Sequence, residues 1–201
     1  MKTIKWLLGL CLMALVVCGS SVQAKENVTD NGIEYESYYY EDYVTITGYV
    51  GTDETVTIPS EIDGKPVDMI EYFGNHIVKH VIIEEGITDI KEMAFYNCDN
   101  MESVVLPEGL TAINDSVFAN CWSLESVNIP STVKTIGNYA FAGCYGLINM
   151  TITLPDGLTS IGDFAFIGIT SRSEILNIVM PDSVAYIGEE AFTTIEKNIL
   201  L

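Results

Sequence analysis

His76 and His80 are the only histidines in the 201 residues. Their i, i+4 spacing is that of two zinc ligands on one helix face, a motif that also needs a glutamate directly after the first histidine. Here Ile77-Val78-Lys79 stand between them, and His80 opens the apolar run Val81-Ile82-Ile83. The pair therefore reads as surface residues at a strand, and no metal is expected. Cysteine chemistry needs a thiolate and a base to keep it so. Cys98, Cys121 and Cys144 lie 23 and 23 residues apart with little imidazole to activate them. The 28 acids leave paired carboxylates open, but Glu84-Glu85, Glu108, Asp156 and Asp182 all flank turns, where a solvated acid is expected. No Gly-rich phosphate loop and no EF-hand-like loop is present. These residues point to a non-enzymatic protein without a cofactor. What remains informative is the interval of 23.

That interval belongs to a repeat, and a repeat decides which elements position everything else. Six apolar runs align: Val56-Thr57-Ile58-Pro59, Val81-Ile82-Ile83-Glu84, Val104-Val105-Leu106-Pro107, Val127-Asn128-Ile129-Pro130, Ile152-Thr153-Leu154-Pro155 and Ile178-Val179-Met180-Pro181. From the second run on, an aliphatic follows three residues later (Ile87, Leu110, Val133, Leu158, Val184) and an isoleucine three after that (Ile90, Ile113, Ile136, Ile161, Ile187). Then come Phe95, Phe118, Phe141, Phe166 and Phe192, four of them preceded by Ala, at steps of 23, 23, 25 and 26. Three residues after each Phe stands Cys98, Cys121, Cys144, Ile169 or Ile195. The extra residues fall around Ile148–Thr151 and Thr170–Ser173, so two outward loops are expected there.

A unit of about 23 residues cannot bury its own apolar side chains, but stacked units can. The Val-x-Ile step has period two, so its outer residues point inward and the middle one points out. Six such strands predict one parallel sheet, roughly 24 Å long at about 4.8 Å per strand. Gly137, Gly162 and Gly188 read as left-handed turn residues. Ala-Phe-x-x-Cys reads as a short helical turn, with Phe plugging the coil and Cys inside the opposite corner. For the cysteines, three readings stand: buried free thiols, one bridge (Cys98–Cys121 or Cys121–Cys144), or a metal site. Ile at the same repeat position favours burial.

The unit Leu-x-x-Val-x-Ile-Pro-x-x-Val-x-x-Ile-Gly-x-x-Ala-Phe-x-x-Cys, clearest from Leu124 to Cys144, resembles the BspA-like leucine-rich repeat. The resemblance runs from about Val44 to Ile195. It departs at Glu84, which replaces the proline, at Tyr72-Phe73, where the first unit lacks the full block, and at the last unit. It implies an α/β repeat solenoid, a right-handed coil with a parallel β-sheet on one face and short helical turns. It also implies a protein of bacterial cell surfaces that binds or adheres without catalysis.

The expected organisation is a signal peptide at 1–24, an N-terminal segment with a β-hairpin cap at 25–55, and repeats over 56–201. Trp6–Val17 is too short to span a bilayer, which needs about 20 residues, and Val22-x-Ala24 fits signal-peptide cleavage. The alternative is a lipoprotein anchored at Cys18. Either way the chain is expected outside the cytoplasm, with no membrane insertion after the signal is removed. Lys25–Asn31 reads as loose. Ile33–Tyr40 and Tyr43–Tyr49 read as two strands whose tyrosines cover the end of the core. The mature chain carries seven bases against 28 acids, a charge of about −21, which excludes phosphate-backbone binding to nucleic acid. The outward strand positions Thr57, Ile82, Val105, Asn128, Thr153 and Val179 form the candidate ligand-binding column, for a protein or a glycan. The C-terminal edge, where another strand would begin, is expected to allow self-association or to serve a spacer element.

Overall fold

The computed structural model describes residues 24–38, 40–149, 151–169, 177–193 and 199–200. Residues 1–23, with Cys18, the second expected loop at Thr170–Ser173, and Ile195 lie outside them.

Three strands open the fold: β1 (Ala24–Val28), β2 (Ile33–Tyr38) and β3 (Val44–Tyr49). They form an antiparallel meander in which β1 pairs with β2 and β2 with β3. The stretch expected to be loose is thus partly a strand, and three strands stand in place of a two-stranded hairpin. Strand β4 (Thr55–Ile58) begins the repeats, followed by β5 (Glu61–Ile62) and β6 (Lys65–Ile70). Asp63 and Gly64 link β5 to β6 with φ of 54° and 77°. A two-residue turn needs positive φ at both positions, and Asp-Gly supplies them cheaply. β6 then runs parallel to β3, joining the meander to the repeats.

Each later coil contributes two short strands. They are β7 (His80–Ile83) and β8 (Asp89–Ile90), β9 (Ser103–Val105) and β10 (Ala112–Ile113), and β11 (Ser126–Val127) and β12 (Thr135–Ile136). Next come β13 (Thr151–Thr153) and β14 (Ser160–Ile161), then β15 (Asn177–Val179) and β16 (Tyr186–Ile187), and finally β17 (Ile199–Leu200). The result is a β-solenoid of about six coils with parallel sheets. The predicted single six-stranded sheet is split into β4-β7-β9-β11 and β13-β15-β17, and a second wall is built by β10-β12-β14-β16. The split falls where the phenylalanine step lengthens from 23 to 25. A 3-10 turn at Tyr145–Asn149 takes up the extra length before β13.

The Ala-Phe-x-x-Cys block is not helical. Met93, Phe95 and Asn97 give their N–H groups to Asp115, Val117 and Ala119 of the next coil, at 3.0 Å each. Ser116, Phe118 and Asn120 repeat this against Asn138, Ala140 and Ala142. Donors committed to the neighbouring coil cannot close an i→i−4 helix ladder. Left-handed φ at Met93 (61°) and Asn97 (60°), and at Ser116 and Asn120, reverses the chain twice per coil.

The glycine column has a different cause from the expected one. Gly137, Gly162 and Gly188 are not among the positive-φ residues. A Cβ on Gly162 would lie 2.6 Å from the backbone nitrogen of Asn138 and 2.7 Å from the carbonyl carbon of Gly137. The coils touch there, so the missing side chain is what matters. Gly162→Ala is expected to destabilise by about 1–3 kcal/mol, because rigid backbone must move. A melt within about 0.5 kcal/mol of the parent would refute close coil contact at this point.

The core is a ladder of rings. Tyr49, Phe73, Phe95, Phe118, Phe141, Phe166 and Phe192 stack with centroids 5.2–5.5 Å apart. Phe73 to Phe166 are fully buried, while Phe192 is half-buried. Cys98, Cys121 and Cys144 are buried free thiols.

Candidate binding surface

The strand period places every outward candidate at the surface. Thr57, Ile82, Val105, Asn128, Thr153 and Val179 are all exposed, between inward neighbours that are buried or, at Ile129, half-buried. Ile82 is 40%, Val105 48% and Val179 38% exposed. Parallel register aligns Thr57 with Ile82 and Ile82 with Val105. It aligns Thr153 with Val179 in the second sheet. The column is therefore two strips, Thr57-Ile82-Val105-Asn128 and Thr153-Val179, separated by the break between β11 and β13.

Asn128 differs from its neighbours. Its Oδ1 accepts from the Leu106 N–H at 2.7 Å, and its Nδ2 donates to the Leu106 carbonyl at 2.9 Å. The amide replaces the ladder bonds that β11 is too short to make. It edges the first strip but already has its polar partners.

The residues that could carry chemistry are placed apart. His76 Nδ1 lies 2.8 Å from Asp99, and His80 Nδ1 lies 2.9 Å from the Ser103 hydroxyl. Each imidazole is thus held by the following coil. The cysteine Sγ atoms of Cys121 and Cys144 donate to the carbonyls of Phe95 and Phe118, 3.1 and 3.0 Å away. Burial pushes the Cys98 thiol up to about 11, and Cys121 and Cys144 well above the ordinary thiol range. A nucleophilic cysteine needs the opposite shift, so these three act as packing groups.

The turn acids do more than face solvent. Glu84 accepts from the Ser60 N–H at 2.9 Å, and Glu108 from the Ser131 hydroxyl at 2.9 Å. Carboxylates thus reach across to the neighbouring coil in places where sequence suggested only solvation.

Sequence reasoning missed a second column, one residue before each Ala or Val of the block: Met93, Tyr139 and Glu190, which are exposed, and Ser116 and Phe164, which are half-buried. All five have positive φ, from 49° to 61°. Tyr139 and Phe164 stack outside the core at 5.0 Å and 14°. The available signal was two aromatics at one repeat position that the core does not need.

A family model for the BspA type leucine rich repeat region matches residues 70–198 in six copies. No curated protein matches the chain. Among solved structures, a leucine rich repeat protein of T. pallidum is similar over 82% of this chain and 86% of its own, with 26% identity and a TM-score of 0.63. A leucine rich cell surface protein of Faecalibacterium prausnitzii is similar over 87% of this chain, with 26% identity and a TM-score of 0.58. A leucine-rich repeat protein of Bacteroides ovatus, at 23% identity and a TM-score of 0.56 over 87%, shares the fold. This chain spans 53% and 59% of the lengths of those last two.

Proposed function

The chain belongs to the BspA-type leucine-rich-repeat family, and on that premise we propose that it is a secreted or surface-attached binding module. It recognises proteins or glycans at the cell exterior and performs no catalysis. One observation carries this reading. Three aliphatic side chains, Ile82, Val105 and Val179, stand exposed on strands whose alternate residues already supply the core. Aliphatics add nothing to solubility there. Beside Thr57 and Thr153 they make two mixed strips of aliphatic and hydroxyl side chains suited to a macromolecule. The N-terminal features agree with export: Lys2 and Lys5, an apolar run, and either cleavage after Ala24 or a lipid anchor at Cys18. The meander caps the N-terminal end, since Tyr49 stacks on Phe73 and Tyr35 donates to Asp63 at 2.6 Å.

Capture of extracellular-matrix proteins and glycans on immobilised protein tests the face. Ile82→Lys, Val105→Lys and Val179→Lys together are expected to lower retention at least about tenfold, because charge replaces apolar contact at the centre. Equal retention by this variant would sink the reading.

A second reading, a self-associating spacer, is favoured by the last described coil. Ile187 is 47% exposed, where Ile113, Ile136 and Ile161 at the same position are buried. Light scattering separates the two readings. The spacer requires oligomers that grow with concentration, and the binding module does not.

A further inference from the structure

The corner where each coil enters its Ala-Phe block carries aromatic side chains that the core does not explain. The fold reverses its chain twice per coil in the left-handed region. At the second reversal the residues are Asn97, Asn120, Gly143 and Gly168, the types that adopt this conformation at least cost. At the first, two successive coils place Tyr139 (φ 54°) and Phe164 (φ 56°). Bulky aromatics are poorly suited to this backbone, and Tyr139 is 44% exposed. The two rings lie face to face, 5.0 Å apart, outside the buried ring ladder, with Tyr139 exposed and Phe164 half-buried.

The surroundings define what such a platform would hold. A ladder of side chains runs one residue away along each coil. The Asn138 N–H donates to Asp115 at 2.7 Å, the Asp163 N–H to Asn138 at 2.8 Å, and the Glu189 N–H to Asp163 at 2.8 Å. Glu190 extends the aromatic column itself. Among the described residues the ion pairs are His76–Asp99, Lys79–Glu54, His80–Glu102 and Lys91–Asp89, all in earlier coils. The corner therefore joins a partly exposed ring pair to carboxylates that take part in none of those ion pairs.

We propose that this corner, through Tyr139 and Phe164 flanked by Asp163, Glu189 and Glu190, binds an arginine- and lysine-rich segment of a partner protein. Ring faces attract guanidinium and ammonium groups, and carboxylates beside them accept the hydrogen bonds of the same cation. This surface is separate from the strand column and does not depend on it.

Fluorescence anisotropy with labelled hexa-arginine, and hexa-glutamate as control, tests the proposal at about 0.15 M salt, where long-range attraction is largely screened. The double variant Tyr139→Asn, Phe164→Asn suits the left-handed backbone and is expected to fold. It should bind hexa-arginine about fivefold to tenfold more weakly, as loss of two cation–π contacts implies. Glu189→Gln with Glu190→Gln should also weaken binding, and it decides the matter if circular dichroism shows that the aromatic variant is unfolded. Ile77→Ser, at an exposed position of an earlier coil, should leave it unchanged. The proposal is overturned if the parent fails to bind hexa-arginine or binds hexa-glutamate equally. It is also overturned if the aromatic variant folds and binds within twofold of the parent, or if the Ile77→Ser variant loses as much.

Discussion

Replacing Phe141 by Ala is expected to lower the free energy of unfolding by about 3–5 kcal/mol. The ring is fully buried and covered on both faces, by Phe118 at 5.4 Å and Phe166 at 5.2 Å. Removing it takes away its own burial and strips contact from two neighbours. A coil that touches only the next coil has nothing else to fill the gap. Against a total of about 5–15 kcal/mol for a folded domain this is a large share, so the melting temperature should fall by about 10 °C or more. Phe192→Ala is the internal comparison. Phe192 is half-buried and, among the described residues, stacks on Phe166 alone, so its truncation should cost no more than about half as much. A central cavity also weakens coupling between the coils on either side, and the denaturant transition should broaden. Urea melts of both variants measure this. A Phe141→Ala melting temperature within about 2 °C of the parent would contradict the stack.

The ring ladder was legible because stacked coils repeat one residue pattern, and Phe95 to Phe192 recur within it at steps of 23, 23, 25 and 26. Tyr49 was not legible as its first ring. It lies at the end of a tyrosine-rich segment before the repeats, where nothing marks one tyrosine above the others. The outward column followed from period two alone. What could not be read was the use each residue makes of its backbone. Gly162 has two physical uses, a left-handed φ or close approach, and composition does not separate them. The left-handed positions are held instead by Met93, Ser116, Tyr139, Phe164 and Glu190, residue types that do not announce that conformation. Ala-Phe-x-x-Cys has the spacing of a helical turn, and only the cross-coil hydrogen bonds of Met93, Phe95 and Asn97 exclude one. The amide of Asn128, spent on Leu106, likewise depends on how far β11 extends.

The buried thiols should make the fold fail steeply in alkali. Cys98, Cys121 and Cys144 are at most 2% exposed. Desolvation raises Cys98 from 9.0 to about 11 and the other two well above their ordinary range. The unfolded chain releases these protons near the ordinary value, while the folded chain holds them. Below pH 9 both states are protonated, and the thiols contribute their full stability. Above it the unfolded state binds fewer protons, so the unfolding free energy falls as pH rises. Each thiol contributes a slope of about 1.4 kcal/mol per pH unit until its folded value is passed. For Cys98 the window is about pH 9 to 11, a loss of roughly 3 kcal/mol. Cys121 and Cys144 act over the same interval and beyond it. Tyr35, raised to about 12 by burial and its bond to Asp63, adds a term of the same sign above pH 10. Urea unfolding under reductant, in steps from about pH 8 to 10.5, measures the slope. Cys121→Ser is the informative variant, because serine keeps a donor for the Phe95 carbonyl and has no proton to lose in this range. It should flatten the slope by about 1.4 kcal/mol per pH unit, and the triple serine variant should remove most of it. If the triple variant loses stability above pH 9 as steeply as the parent, the thiols are not the alkaline limit of this solenoid.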